Sequence, residues 1–313
     1  MGNDLDFLQK YPGIEAEPLW TVMSAMVPPK PSPKAVPHIW EYQKIRPALI
    51  ESGERIGAEE AERRVLMLIN PNLKAPQTTD TLYAGLQLIN PGETAPAHRH
   101  RAFALRFIIE GERGFTAVEG EKLYMDRGDV ILTPPWCWHD HGHEGEDVMI
   151  WLDGLDLPMF QHIPVNFAEN YAESRYPSIP VENSPIKFPW APVQKALNNT
   201  GDTSYAVYEY RREDGSPLSK IIGAQAERIG PGASSPMVRE TSSKVAHIYD
   251  GKGFTEITES NGNTKTLNWT RGDTMSIPSW AAVVHHAEGD QPAYIFSFND
   301  KPLLDNLALY KNE

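Results

Sequence analysis

The sequence lacks the features that define several common classes of protein. It contains a single cysteine, Cys137, so no disulfide can form within the chain, and we expect a protein of the reducing cytoplasm. No apolar run approaches about 20 residues, so no membrane-spanning helix is expected. The first residues carry neither a basic nor an apolar segment, and no signal peptide is expected.

Basic side chains are also scarce. The chain has 29 lysines and arginines against 42 aspartates and glutamates, which gives a net charge of −13. Nucleic-acid binding requires a basic surface, and the sequence contains no basic stripe. We therefore expect neither a nucleic acid nor a membrane as a partner.

The sequence does contain many short segments separated by turn residues. Its 313 residues include 27 prolines and 23 glycines, while 40% apolar residues suffice for a sizeable core. This pattern predicts strands and turns in preference to long helices. Prolines at residues 28–33 predict an extended N-terminal arm, and residues 57–64 predict a helix that is followed by a buried strand at 65–69.

The chain also repeats itself. Pro91-Gly92 recurs as Pro231-Gly232, Arg127-Gly128-Asp129 as Arg271-Gly272-Asp273, and Pro134-Pro135-Trp136 as Pro278-Ser279-Trp280. The repeat predicts two copies of one β-module in tandem. We expect an arm and helix at residues 1–80, the first module at 81–165, a connector at 166–215, and the second module with a C-terminal tail at 216–313.

Three histidines of the first copy predict a metal site. His98 and His100 are two residues apart, so they share one face of a strand, and His139 follows a second apolar strand. The matching positions of the second copy hold Val238, Glu240 and Val283. We therefore predict one metal site per chain, in the first copy. His285 and His286 fall outside the register of the three ligands and are interpreted as ordinary strand residues.

Two polar side chains interrupt apolar strands. Gln87 either lines a pocket or is a hydrogen-bonded amide of the core. Arg106 requires an anionic partner, because an unpaired buried guanidinium is very costly. A structural carboxylate would serve, but we favour the carboxylate of a bound substrate.

These residues carry a resemblance to a known family. Gly92-x5-His98-x-His100, with Glu110-Gly111 and Gly128-x5-Pro134-x-Trp136-x2-His139, resembles the two cupin motifs. The glutamate that usually follows the first histidine pair is replaced by Ala104 and Leu105, and Trp136 replaces a usual glycine. Residues 63–66, 82–87, 104–107, 138–142 and 151–156 are each similar to stretches of gentisate 1,2-dioxygenases, which are ring-cleaving bicupins.

The resemblance implies a fold and a reaction. The fold is all-β, with two tandem jelly-roll barrels, an N-terminal arm and a few short helices. Fe(II) would be bound by His98, His100 and His139. The enzyme would use O2 to break the bond between the carboxyl- and hydroxyl-bearing carbons of gentisate or another 5-substituted salicylate. The family also implies a homotetramer.

The resemblance further assigns roles to individual residues. Arg106 and His141 would contact the substrate, with His141 as acid–base group on its hydroxyl, unless His141 lies outside the site. Asp153 would orient the pocket or a ligand imidazole, or would simply be a turn residue. Further substrate contacts are expected from Gln87, Tyr83, Arg63 and Phe103. Cys137 is expected to pack beside the site.

The substrate and the class of protein have alternatives. Arg101 and Phe103 stand where gentisate enzymes usually carry small polar residues, which suggests 5-nitrosalicylate, salicylate or 1-hydroxy-2-naphthoate as substrates. Tyr83 favours gentisate, because salicylate-cleaving members tend to have tryptophan there. A metal-dependent cupin isomerase would show no oxygen uptake, and a non-catalytic bicupin would not need three converging histidines.

Overall fold

The computed structural model describes residues 6–313, which fall into two units. The smaller unit extends to Ser32, and the larger comprises residues 33–313. The described part of the smaller unit contains two 3-10 helices, Asp6–Lys10 and Leu19–Thr21, and helix α1 (Met23–Met26). Within residues 6–313, no helix is long and apolar enough to cross a membrane.

The larger unit is mostly β. Its helices are α2 (Tyr42–Arg55), α3 (Ala58–Ala61), α4 (Trp190–Asn198) and α5 (Lys301–Asn306), with a 3-10 helix at Leu157–Gln161. Its strands are β1 (His38–Trp40), β2 (Val65–Met67), β3 (Tyr83–Ile89), β4 (Thr94–His100), β5 (Ala104–Glu110), β6 (Gly114–Val118), β7 (Glu121–Met125), β8 (Val130–Thr133), β9 (His139–His143), β10 (Met149–Leu155), β11 (Ala168–Asn170), β12 (Ile179–Pro180), β13 (Lys187–Phe188), β14 (Tyr205–Tyr210), β15 (Gly223–Ile229), β16 (Val238–Arg239), β17 (Lys244–Asp250), β18 (Lys252–Thr258), β19 (Thr264–Thr270), β20 (Thr274–Ile277), β21 (Ala282–Ala287) and β22 (Ala293–Asn299). The predicted all-β class with a few short helices is confirmed.

The strands form four sheets that make two barrels. The first barrel consists of the sheets β13-β8-β5-β10-β3-β2 and β11-β4-β9-β6-β7-β12. The second consists of β1-β20-β17-β22-β15-β14 and β16-β21-β18-β19. The order β8-β5-β10-β3 matches β20-β17-β22-β15, and β4-β9-β6-β7 matches β16-β21-β18-β19. The topology therefore repeats as the sequence does.

Strands from outside the predicted module ranges complete both barrels. Strands β2, β11, β12 and β13 join the sheets of the first barrel, and β1 and β14 join a sheet of the second. The arm and the connector thus contribute strands as well as chain between modules. The division into four sequence ranges stays a prediction.

The hydrophobic core has three parts. One cluster lies between the two sheets of the first barrel and includes Ile108, Ile131 and Trp151. A second fills the other barrel. The largest is shared by both barrels, where Phe107 and Phe296 stack with ring centroids 4.2 Å apart. This shared core fixes one barrel against the other.

Strand β5 connects the shared core to the interior of the first barrel. Side chains alternate along a strand, so Leu105 and Phe107 enter the shared core while Arg106 and Ile108 point the opposite way, into the barrel. Burying Leu105 and Phe107 removes both completely from water, which stabilises each by roughly 1.5–3 kcal/mol. Apolar packing on one face thereby holds Arg106 inside the barrel.

Candidate active site

The three predicted ligands meet inside the first barrel. His98 and His100 lie on β4 and His139 on β9, and these strands pair with His98 opposite His139. One ring nitrogen from each histidine lies within 4.8 Å of the others. The ring centroids of His98 and His139 are 4.4 Å apart, and those of His100 and His139 are 4.9 Å apart. The antiparallel register therefore produces the cluster that the sequence spacing predicts.

Two of the three rings are oriented by backbone carbonyls. His100 Nδ1 donates to Ala102 O over 2.9 Å, and His139 Nδ1 donates to Cys137 O over 3.0 Å. This places the proton on Nδ1 and leaves a lone pair on Nε2, as metal binding requires. Burial lowers the pKa of His100 to about 4 and that of His98 to about 2, so the rings are neutral at pH 7. The half-buried Cys137 lies beside the site and takes part through its carbonyl.

His98 has a different partner. Arg63 Nη2 lies 2.7 Å from His98 Nδ1 and also donates to Pro96 O over 2.8 Å. A guanidinium can only donate, so His98 Nδ1 accepts in this arrangement. A neutral His98 that binds a metal through Nε2 would carry its proton on Nδ1, and Arg63 would then have to shift. Burial lowers the pKa of Arg63 to about 10, with a further contribution from the charge of Arg106.

Of the two adjacent arginines, Arg63 is the one that reaches the histidines. Arg64 forms an ion pair with Glu93 at 2.8 Å, and its Nη2 donates to Ile56 O over 2.7 Å. Arg64 therefore fixes the chain before β2 to the turn before β4. Its role is structural.

Arg106 has an anionic partner within the protein. Its Nε lies 3.3 Å from Asp153 Oδ1, across the β5–β10 pair, and its Nη1 donates to Thr133 Oγ1 over 2.6 Å. The expected partner was the carboxylate of a substrate, but Asp153 already supplies the negative charge. Arg106 Nη2 makes no hydrogen bond within residues 6–313 and is available to a ligand. Burial raises the pKa of Asp153 to about 6, and Arg106 opposes that rise.

His141 points an unpaired nitrogen into the barrel. The side chain is fully buried on β9, and its Nδ1 lies 3.0 Å from Thr116 Oγ1. Its Nε2 is buried with no hydrogen-bond partner in the described residues. Burial, and then the charge of Arg106, lower the pKa of His141 well below its usual value. A neutral imidazole with one free nitrogen beside the cluster suits proton exchange with a ligand.

Strand β3 carries two further predicted contacts. Gln87 is 3% exposed, and its amide makes no hydrogen bond within residues 6–313. Tyr83 is also buried, and its pKa is raised by burial and by the negative charge of Asp153. Strand β3 pairs with β10, which carries Asp153, so both side chains belong to the barrel that holds the histidines.

Phe103 and Arg101 lie away from the barrel interior. Phe103 is 1% exposed and packs in the core shared by the two barrels. This placement argues against direct contact with a substrate ring. Arg101 is exposed, with its guanidinium 5.5 Å from the ring of Phe167. Both residues were expected near the substrate from the resemblance alone, and both precede β5, so strand alternation gave no independent information about the direction of their side chains.

Three residues near the site were not identified from the sequence. Thr116 contacts His141, Thr133 contacts Arg106, and the buried Asp156 accepts a hydrogen bond from Phe103 N over 3.0 Å. The sequence could have indicated Thr116, because Phe115-Thr116 recurs in the second copy of the repeat as Phe254-Thr255. The other two have partners that only the sheet register brings together.

The second barrel requires a correction for His285. Strand β16 pairs with β21 so that Val238 lies opposite Val283, as His98 lies opposite His139. However, His285 lies opposite Thr255 and contacts its Oγ1 over 2.7 Å, as His141 does with Thr116. His285 is therefore the structural counterpart of His141, contrary to its interpretation as an ordinary strand residue.

Known proteins share this sequence and fold. A sequence model described as a cupin domain matches residues 85–155. The chain is 36% identical to gentisate 1,2 dioxygenase 1 of Aquipseudomonas alcaligenes, over 98% of this chain and 95% of that protein. It is 31% identical to 5-aminosalicylate 1,2-dioxygenase of a Comamonas species, over 95% and 86% of the two chains.

A solved structure extends the likeness to the whole fold. The crystal structure of salicylate 1,2-dioxygenase from Pseudaminobacter salicylatoxidans superposes with a TM-score of 0.90 at 28% identity, over 100% of this chain and 98% of that one. The bicupin architecture is thereby confirmed, and the isomerase and the non-catalytic bicupin are not supported. The chain belongs to the gentisate and salicylate 1,2-dioxygenase family of bicupins and is a ring-cleaving dioxygenase.

Proposed function

We propose that this dioxygenase cleaves gentisate or a closely related 5-substituted salicylate, with Fe(II) bound by His98, His100 and His139. The observation that carries the proposal is the meeting of the three neutral imidazoles with Arg106 and His141 inside one barrel. The bond broken joins the carbon bearing the carboxylate to the carbon bearing the hydroxyl. Both atoms of O2 enter the product, so no external reductant is needed.

The donor set fits an iron ion. Three imidazoles without a carboxylate ligand leave coordination positions for a substrate and for O2. Two of the rings are already held with Nδ1 protonated, so little reorganisation is needed for Nε2 to bind a metal. When bound, iron would mediate charge transfer between the aromatic ring and O2.

Arg106 is proposed to hold the substrate carboxylate. Its Nη1 donates to Thr133, and its Nε lies in ion-pair contact with Asp153 without a hydrogen bond, while Nη2 makes no hydrogen bond within the described residues. A charge-assisted hydrogen bond from Nη2 would orient the ring in the barrel. Asp153 is proposed to keep Arg106 in place, since a buried guanidinium needs a permanent counter-charge.

His141 is proposed as the acid–base group for the ring hydroxyl. With Nδ1 donating to Thr116 Oγ1, Nε2 is left as a lone pair that can accept the hydroxyl proton. The low pKa of His141 keeps this nitrogen unprotonated at neutral pH. Gln87 and Tyr83 are proposed to contact the ring from β3, and Arg63 to contact the substrate from the chain before β2.

The preferred substrate is proposed to be electron-rich. Relatives that act on gentisate and 5-aminosalicylate both take rings with a donating group para to the hydroxyl. Phe103 lies in the shared core, which removes one argument for a preference for substrates with a different substituent at the 5-position of the ring. We therefore favour gentisate over 5-nitrosalicylate, salicylate and 1-hydroxy-2-naphthoate.

An oxygen-electrode screen tests this function. Protein loaded with Fe(II) is assayed with gentisate, 5-aminosalicylate, salicylate, 5-nitrosalicylate and 1-hydroxy-2-naphthoate, and incorporation of 18O2 is measured in the product. We expect one O2 consumed per ring opened and the highest kcat/KM for gentisate. Oxygen uptake that leaves the ring intact would overturn the proposed reaction. A higher kcat/KM for another substrate would overturn only the choice of gentisate.

Two further properties rest on the family resemblance, for the assembly, and on the single cysteine, for the location. We propose a homotetramer and a cytoplasmic location. Light scattering coupled to size-exclusion chromatography gives the mass of the assembly, and cell fractionation gives the location. A monomer, or an enzyme recovered outside the cytoplasmic fraction, would contradict them.

A further inference from the structure

A cavity of about 500 Å³ lies where the two barrels meet. Its walls include Phe107 of β5 with His247 and Tyr249 of β17, and the turns before β8 and before β20. None of the residues assigned to the candidate active site lines it. Its volume lies in the range of small-molecule sites.

The two turns at this cavity are the Arg-Gly-Asp repeats of the sequence. Gly128 and Gly272 have left-handed φ values of 90° and 94°, and a Cβ at Gly128 would overlap the ring of Trp190. Asp129 accepts a hydrogen bond from Trp190 N, and Asp273 accepts one from Tyr42 N. The glycine and aspartate of each turn therefore serve the fold.

The arginines of these turns have no comparable partners. Arg127 donates through Nη2 to Tyr249 O and lies 3.9 Å over the Tyr249 ring, but it forms no ion pair within residues 6–313. Arg271 is exposed at the mouth of the cavity and forms neither a hydrogen bond nor an ion pair with the described residues. Two guanidinium groups thus face one cavity without a bound counter-charge.

Nearby acidic groups do not neutralise the pair. Glu110 is already bound by Arg46, with 2.8 Å from Nε and 2.7 Å from Nη2. Asp250 acts on Arg127 electrostatically but forms no ion pair with it in the described structure. Burial lowers the pKa of Arg127. Repulsion from the positive charge of Arg271 lowers it further. In a chain of net charge −13, this local excess of positive charge is an exception.

We propose that the cavity between the barrels binds a small dianion, a dicarboxylate or a phosphate, whose oxygens bridge Arg127 and Arg271. Guanidinium groups bind both kinds of oxyanion through paired N–H donors. His247 lines the same cavity, with Nδ1 held by Thr274 Oγ1 at 2.9 Å, and its Nε2 makes no hydrogen bond within residues 6–313. With Nδ1 accepting from the Thr274 hydroxyl, Nε2 carries the proton and donates a third hydrogen bond to the ligand.

Calorimetric titration of the iron-loaded full chain tests the site. Inorganic phosphate and succinate are titrated separately at low ionic strength into wild type, Arg127→Gln and Arg271→Gln. Arg211→Gln is the matched control, because Arg211 is an exposed arginine outside the cavity. We expect one dianion per chain, with Kd raised at least about tenfold in the two cavity variants and unchanged in the control.

The two ligands and the variants together distinguish the possible outcomes of the titration. Tighter binding of succinate or of phosphate identifies the source of the dianion, and either supports the site. Binding that is equal in wild type and in both cavity variants overturns the proposal. So does the absence of binding at millimolar ligand, or binding lost in Arg106→Ala and kept in Arg127→Gln. Arg271→Gln removes no hydrogen bond seen in the protein, so loss of folding does not confound it.

Discussion

At the scale of single residues, Arg106 and Asp153 form the charged centre of the candidate active site. Both side chains are buried, and they form an ion pair in which Arg106 Nε lies 3.3 Å from Asp153 Oδ1. A buried pair of this kind contributes little net stability, but removing one partner leaves the other charge isolated. We propose that the pair holds Arg106 so that Nη2 can contact a ligand.

Replacing Arg106 tests this role. Arg106→Ala should bind Fe(II) as wild type does, since Arg106 does not contact the three ligands by any hydrogen bond. It should lose roughly 3–5 kcal/mol of interaction with the substrate carboxylate, equivalent to about 10²- to 10³-fold or more in kcat/KM. Kinetics of folded, iron-loaded protein measure the loss.

Arg64→Ala is the matched control for that variant. It also breaks an arginine–carboxylate pair, that of the buried Arg64 with the partly buried Glu93, but Arg64 makes no hydrogen bond to the three histidines. We expect lower thermal stability with kcat/KM per folded molecule close to wild type. Wild-type kinetics in Arg106→Ala would refute the carboxylate contact.

Asp156 gives a pH dependence of stability. Burial raises its pKa to about 7, partly opposed by the hydrogen bond from Phe103 N. Between the unfolded pKa near 3.9 and this value, the folded state holds a proton that the unfolded state has released, so the contribution of Asp156 to stability falls as pH rises. The slope is at most about 1.4 kcal/mol per pH unit.

Asp156→Asn removes that titration and keeps an acceptor for Phe103 N. Urea unfolding of both proteins from pH 4.5 to 8 should show the variant gaining stability relative to wild type as pH rises, with no further gain above about pH 7. A difference that is independent of pH would contradict the raised pKa.

At the scale of secondary-structure elements, the paired strands β6–β9 and β18–β21 provide an internal comparison. Each pair places a threonine hydroxyl on the Nδ1 of a buried histidine, Thr116 with His141 and Thr255 with His285. Because both barrels have this contact, it contributes to the fold in each. Only the first barrel combines it with the three converging histidines.

The comparison yields a matched pair of variants. Thr116→Val and Thr255→Val should each cost about 1–3 kcal/mol in the free energy of unfolding, since each leaves a buried imidazole nitrogen unpaired. Thr255→Val should be the more destabilising, because Thr255 Oγ1 also accepts a hydrogen bond from Trp269 Nε1 over 2.9 Å. Only Thr116→Val should also lower kcat, because it frees His141 to rotate or change tautomer. Equal kcat in the two variants would mean that the contact of Thr116 with His141 is not needed for turnover.

The strands and their repeat were predictable because short apolar segments bounded by glycines and prolines are too short for long helices and are typical of strands. Helix α2 was not predicted, since Pro47 lies inside it and the preceding segment is rich in proline. Helix α3 is shorter than expected, and β2 ends at Met67, which is 46% exposed instead of buried. Element boundaries depend on tertiary packing, which the local sequence does not contain.

The candidate site was predictable where strand periodicity decides the geometry. His98, His100 and His141 follow from spacing along a strand, and the repeat shows which positions differ between the copies. The partner of Arg106 was not predictable, because Asp153 becomes its neighbour only through the register of β5 with β10. Phe103 was expected near the substrate because of its position after the histidine pair, and its burial in the shared core depends on tertiary packing that the local sequence does not contain.

At the scale of the whole molecule, two barrels of one topology carry one cluster of histidines within the described residues. The shared core joins them, so the second barrel supports the wall of the first behind β5. In the second barrel, Glu240 forms an ion pair with Lys244 at 2.5 Å instead of facing two imidazoles. We therefore expect one metal per chain, in the first barrel.

The most direct test of a single catalytic iron per chain is to measure activity as a function of the amount of Fe(II) added. Metal-free protein is titrated with Fe(II) under anaerobic conditions, and oxygen uptake with gentisate is followed at each ratio. We expect a linear rise that ends at one iron per chain, with one O2 consumed per gentisate and no iron bound tightly by His98→Ala. A rise that continues to two irons per chain, or full activity in His98→Ala, would contradict it.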